Sequence, residues 1–422
     1  MARSPLTLAA SVTSALPRTG VVNVAALSED AAGRFDSALA TLDDGRRVVM
    51  RVPADADAER DLRAEVRALT ALTPGVRGVL PFAAPLVLGE TRVDGLGAVV
   101  QSWLSGYRVD AAHVPPGPGV ATALGAAIAT IHDLPPSVVR DAGLSVRTSA
   151  QVRDDAERLL DRAEATGLLP FGLLRRWSRA LAADALWRFE ATVTLGGVDP
   201  ASFLLEDDAD GTPVVTGLLQ WGGLGAGDPA ADLRWLASAP DARTDVLDAY
   251  TAASHRSVDS AVWERARLHA ELEFASWLVH GHAAGAESVV ADAVALLEAL
   301  ETNVRDAPPL AQESITVDDA IAVLGRVPET TSIDTSMQTD AYDAERLAEY
   351  TDDEPEDRAE TDPAGIETAP IELTGWQFPA SGHHDDHRGN GGEQGSHDDD
   401  AHGDDDPGEA ARNALRRWTE TA

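Results

Sequence analysis

Residues 194–236 hold the side chains best placed to do chemistry. They read TLGGVDPASFLL, an acidic turn, and then TGLLQWGGLGAGDPAADLRWL. Asp199, on the predicted loop, could take a proton. Ser202 can coordinate a metal weakly, and Gln220 offers only a neutral carbonyl, a poor ligand for a hard dication. Asp199-Pro200 also reads simply as a turn, and Asp228-Pro229 as a helix start. The chain has no cysteine, so thiolate chemistry and disulfides are excluded. Neither a Gly-x-Ser-x-Gly elbow nor a His-Glu-x-x-His pair occurs. His132, His269, His280 and His282 fall on or beside predicted helices without partner spacing, and read as ordinary core or surface histidines.

The elements that must position this stretch follow from periodicity. Residues 21–27 and 35–42 are β-rich, Asp43-Asp44-Gly45 is a hairpin turn, and residues 46–52 form a third strand. Ala58, Leu62, Val66 and Leu69 recur at helical spacing, and residues 85–88 and 98–101 read as two further strands. Residues 103–310 are mostly helical. Val120, Leu124, Ile128 and Ile131 mark one amphipathic helix; residues 152–163, 173–187, 229–236 and 288–303 mark others. Trp263, Ala270, Phe274 and Trp277 put aromatics on one helix face, which is the pattern of core packing. Residues 2–10 faintly resemble a signal peptide, but one Arg and interspersed Ser and Thr fit better the first helix of a cytoplasmic protein.

Charge narrows the partners. The formal net charge is −36, which argues against nucleic-acid backbones and anionic membrane surfaces. No stretch approaches the roughly 20 apolar residues of a membrane span. Residues 311–326 contain one possible short helix. From residue 327 onward, 26 Asp and Glu face six Arg, a net −20 that leaves −16 for the rest. So polar a segment predicts a disordered tail over 327–422. Its His383, His384, Asp385, Asp386, His387, His397 and His402 suggest either a loose metal-binding tract or, more simply, a solvated acidic run. Near the end, Leu415, Arg416, Arg417 and Trp418 read either as a short docking helix or as a frayed terminus.

The core stretch resembles the catalytic core of the aminoglycoside/macrolide phosphotransferases, which share the protein-kinase architecture. That resemblance implies an α+β bilobal fold: a small β-rich N-lobe over 1–102 and a helical C-lobe over 103–310. It also implies His-Gly-Asp-x-x-x-x-Asn on a loop, a strand ending Ile-Asp-Trp, and then Gly-Asp-Pro-x-x-Asp-Leu. The last element is present, with Asp228 and Asp232 in architectural roles. The charged groups are missing: Leu195 stands in the His position, Gly197 in that of the catalytic Asp, Ser202 in that of the Asn and Gln220 in that of the metal-binding Asp. Asp199, two positions beyond Gly197, is the one candidate substitute base.

The resemblance also implies a nucleotide site. Arg51 takes the place of the family's strand Lys and Glu65 that of its helix partner, as a structural ion pair or a phosphate contact. Gln101 and Trp103 fall in the connection between lobes, where backbone groups would hold a purine. ATP or GTP with Mg²⁺ is therefore expected from the resemblance alone. A catalytically impaired pseudokinase that binds a small ligand or protein is the first expectation. An active transfer to a macrolide or aminoglycoside hydroxyl, and a scaffold acting through the tail, are the alternatives.

Overall fold

The computed structural model describes residues 3–27 and 33–310. Helix α1 (Pro5–Ala15) opens with Pro5 in its first turn and the Ser4 hydroxyl accepting from Thr7 N, so the N-terminus is the expected helix. Strands β1 (Val21–Ala26), β2 (Phe35–Leu42) and β3 (Arg47–Pro53) follow. Helix α2 (Ala56–Ala71) is capped by Asp55, and α3 (Pro74–Val79) by Thr73. Strands β4 (Val87–Val93) and β5 (Leu96–Ser102) complete an antiparallel five-stranded sheet of order β1-β2-β3-β5-β4. These last two strands run longer than the expected 85–88 and 98–101. They are one hairpin closed at Asp94-Gly95, both at positive φ (53° and 87°), a turn signal that sequence reading passed over.

Period-2 alternation sorts the sheet. Ala38, Ala40, Leu42, Val48, Met50 and Val52 point to one face, where Leu8, Val12 and Ala15 of α1 cover them. The close fit shows at Gly89 of β4, where a Cβ would lie 2.5 Å from the Ala15 carbonyl oxygen. Arg51 and Gln101 alternate to the other face, toward α2. Below the sheet, the Arg77 guanidinium donates to the carbonyls of Leu69, Leu72, Ala84 and Pro85 at 2.8–3.0 Å, tying α2 and α3 to the chain that enters β4.

The helical part comprises α4 (Val120–His132), α5 (Ser137–Asp141), α6 (Ser149–Ala165), α7 (Phe171–Ala182), α8 (Arg243–Ala253), α9 (Val262–Ala284) and α10 (Glu287–Val304). Four short strands interrupt it. β6 (Thr192–Thr194) pairs with β9 (Gly225–Gly227), and β7 (Phe203–Asp207) with β8 (Pro213–Leu218). Two expected helices differ. The one at 173–187 stops at Ala182 and resumes as a 3₁₀ turn, because Trp187 folds back to donate its indole N–H to the Ala180 carbonyl at 3.1 Å. The one at 229–236 is 3₁₀ throughout Pro229–Ser238.

One buried cluster gathers α4, the short strands and α8; a second gathers α6, α7, α9 and α10. Trp277 is buried in the second with Phe274 packed on it, whereas Trp263 packs on the first. The aromatic stripe is core, divided between two cores. Among the described residues no helix is long and apolar enough to cross a membrane. The expected short helix at 311–326, the tail over 327–422 with its histidines, and Leu415, Arg416, Arg417 and Trp418 lie outside the described residues.

Candidate functional site

The loop between β6 and the 3₁₀ turn Pro200–Ser202 is held from below by one carboxylate. Asp232, fully buried, accepts from Leu195 N at 2.7 Å through Oδ2 and from Gly197 N at 2.6 Å through Oδ1. His132 Nε2 lies 3.1 Å from the same Oδ2, and its Nδ1 lies 2.8 Å from the Tyr250 hydroxyl. An ionised carboxylate only accepts, so His132 carries its proton on Nε2 and the Tyr250 hydroxyl donates to Nδ1. Burial and nearby carboxylates push the Tyr250 hydroxyl up, which keeps it a donor. His132, expected to be an ordinary core or surface histidine, is buried and has two partners. They lie 100 and 118 residues away, beyond the reach of local spacing.

Gly197 has φ +103°, a conformation that a side chain would make costly. The space beside it is also taken. A Cβ built there would lie 2.3 Å from Nη1 and 2.4 Å from Cζ of Arg234. Arg234 Nε in turn pairs with Glu273 Oε2 at 2.9 Å. Burial pushes the Glu273 carboxyl up; Arg234 and His269 pull it down, and Asp199 adds to the rise.

Ser202 and Gln220 meet each other: the Ser202 hydroxyl donates to Gln220 Oε1 at 2.8 Å. Asp199 is exposed and caps the turn behind it, accepting from Ala201 N at 2.7 Å. No group of three or more His, Cys, Asp or Glu able to hold a metal occurs among the described residues.

Asp228 and Arg265 form a buried ionic centre. Arg265 Nε donates to both Asp228 oxygens at 3.1 and 2.9 Å, and its two Nη groups donate to Asp259 at 2.8 and 2.9 Å. A further donation reaches the Leu186 carbonyl, and the guanidinium stacks 4.4 Å over Phe189. His269 Nε2 sits 2.9 Å from Asp228 Oδ2. Burial pushes the Asp228 carboxyl up, but the His269 and Arg265 contacts outweigh it and hold it at about 2. Asp228 also accepts from Ala230 N at 2.9 Å, capping the 3₁₀ segment.

In the β-rich part, Arg51 Nη1 donates to both Glu65 oxygens at 2.7 and 2.6 Å, joining β3 to α2. The guanidinium also stacks 4.4 Å over Phe35. Gln101 Nε2 donates to Glu65 Oε1 at 3.1 Å, so its side chain joins this pair. Trp103 N donates to the Arg47 carbonyl at 3.2 Å, with the Arg47 guanidinium 5.6 Å from its ring.

The chain thus combines a β3–α2 ion pair, a loop braced by a buried Asp from the following segment, and a helical remainder. Residues 28–270, more than half of the chain, match the phosphotransferase enzyme family. The chain belongs to that family. No curated protein matches it. Among solved structures, the macrolide 2′-phosphotransferase of Brachybacterium faecium is similar at 24% identity and a TM-score of 0.55, over 66% of this chain and 93% of that one. A type I macrolide 2′-phosphotransferase gives 24% and 0.54, over 70% and 98%. Aminoglycoside 2′-phosphotransferase-IIIa, solved with GDP, gives 19% and 0.59, over 71% and 99%. The α+β kinase-like fold expected from the sequence is the fold of this phosphotransferase-family chain.

Sequence reading missed Arg234, Glu273 and Arg265. One signal was available: Arg265, His269 and Glu273 recur every four residues on α9, one face of a helix. That face meets Asp228 and Arg234 of the 3₁₀ segment.

Proposed function

We propose that this phosphotransferase-family chain is a catalytically impaired pseudokinase that binds a small ligand or a protein partner, most simply in the cytoplasm where nucleotide is plentiful. Gly197 carries the reading. Transfer needs a carboxylate that orients and deprotonates the acceptor hydroxyl, and the position implied for it has no side chain, a positive φ and a guanidinium in the side-chain space. Support comes also from Ser202 and Gln220. Their polar atoms are engaged with each other, and neither carries the charge that a hard dication favours. This donor set does not fit Mg²⁺, and we derive no step through a metal.

Related enzymes have been solved with GDP, and one with GDP and kanamycin. A purine nucleotide is therefore the first ligand to try, with Arg51 as its phosphate contact and Gln101 and Trp103 at the connection between lobes. With Arg51 but no metal-binding Asp at position 220, any such binding is weak and indifferent to Mg²⁺. The second reading is an active enzyme with Asp199 as base. Its exposure and its place on the same loop favour that reading; its bond to Ala201 N does not.

The deciding assay offers Mg-ATP or Mg-GTP to the purified chain with macrolides and aminoglycosides. No transfer above the no-enzyme rate is expected. Robust turnover that Asp199→Ala abolishes would replace the pseudokinase with the enzyme.

A further inference from the structure

We propose that Arg234 makes the place of the missing base an oxyanion-binding site, for a small molecule that carries a phosphate or carboxylate group. The inference rests on the pseudokinase reading, because in the active enzyme an acceptor hydroxyl aligned on Asp199 would need the space beside Gly197.

Arg234 uses Nε on Glu273, at 2.9 Å. Its other two nitrogens lie against Gly197, where an added Cβ would be 2.3 Å from Nη1 and 2.9 Å from Nη2. Among the described residues no acceptor meets either nitrogen. The side chain is 28% exposed, so the guanidinium is within reach of solvent. The end of a guanidinium fork presents parallel N–H groups at the spacing of two oxygens of a phosphate or carboxylate. Glu273 fixes that fork from behind, and it is nearly buried, at 11% exposure.

The neighbouring acids set the strength. Glu273 and the exposed Asp199 both oppose an incoming anion, so the site is weak: on the order of millimolar for inorganic phosphate alone. The same arithmetic gives a prediction that no folding defect can imitate. Removing the charge of Glu273 while keeping Arg234 strengthens anion binding.

The test is a titration of the full chain with inorganic phosphate and, separately, citrate. It is read by thermal shift at constant ionic strength, with sulfate-free buffer and no divalent cation. The shift from general exclusion of such salts is common to every variant and is subtracted as a difference between variants. Wild type should saturate in the millimolar range with phosphate, citrate or both; which of them binds names the class. Arg234→Gln with Glu273→Gln, a neutral pair of similar size, should lose the saturable part. Glu273→Gln alone should tighten binding about tenfold, the effect of about 1.4 kcal/mol. A double variant that binds as wild type, a Glu273→Gln variant that binds no better, or a wild type that never saturates would each overturn the inference. Turnover of Mg-ATP would instead sink the pseudokinase reading, whatever the anions do.

Discussion

Replacing Asp232 by Asn should destabilise the chain by about 2–4 kcal/mol and loosen the loop that it holds. The carboxylate accepts from two backbone N–H groups, one on each oxygen, and from His132. An amide has one acceptor oxygen. Turned toward Gly197, it presents its NH₂ to Leu195 N–H, a buried donor against a donor. The orphaned donor costs about 1–3 kcal/mol, and the surviving bond loses the extra strength of a charged acceptor, about 1 kcal/mol. His132 adapts by exchanging its proton, so it adds little. Asp232→Ala orphans both donors and leaves a cavity, and should cost more. Urea unfolding gives the loss in stability as a lower midpoint at unchanged slope. Hydrogen exchange gives the local part: the amides of Leu195 and Gly197 should lose protection before those of α4. A loss below about 1 kcal/mol, or unchanged protection at 195 and 197, would show that the bond network is not what holds the loop.

Asp228 sets an acid limit. Its folded-state value of about 2 lies below the ordinary Asp value of 3.8, so its contribution is full above pH 4 and fades as pH falls toward 2. That amounts to about 2 kcal/mol, and an Asp228→Asn variant should show a correspondingly flatter acid limb in urea midpoints between pH 4 and 2. Gly197→Ala should cost about 1–3 kcal/mol, chiefly from positive φ, with a smaller part from moving the Arg234 guanidinium aside. Adding Arg234→Ala should recover up to about 1 kcal/mol of it in a double-mutant cycle, and strict additivity would refute the overlap. Deleting residues 327–422 should leave the melting temperature of the remainder nearly unchanged, since so acidic a stretch contributes little buried apolar area; a collapse of the core would refute that.

Much of the scaffold was legible because its determinants are local. Alternation in β2 and β3, the Asp43-Asp44-Gly45 turn and the spacing in α2 fix which face each residue takes. That is enough to set Arg51 opposite Glu65. The 3₁₀ form of residues 229–238 was not legible, because Asp228-Pro229 starts either helix type equally well. The partners of His132 and His269 were hidden for another reason. Each reaches a carboxylate on the 229–238 segment or its cap, 100 and 41 residues away, and only the assembled fold brings them together. Arg234 against Gly197 is of the same kind: glycine at 197 reads as a deletion of chemistry, and the neighbour that fills its space cannot be read from the motif.

The two sets of residues differ in what removes them. Asp228 and Asp232 are buried at 3% and 0% exposure, and each satisfies buried donors. Losing either costs several kcal/mol of a total that is rarely above about 15. Gln220 is exposed and Ser202 half-exposed, and the chain folds with neutral groups at both. In this chain the Gly-Asp-Pro-x-x-Asp-Leu element therefore serves the fold, with or without transfer. Its presence testifies to architecture. Evidence about chemistry has to come from the positions that would carry the charges, and here the most informative of those is Gly197, where the guanidinium of Arg234 stands in the side-chain space.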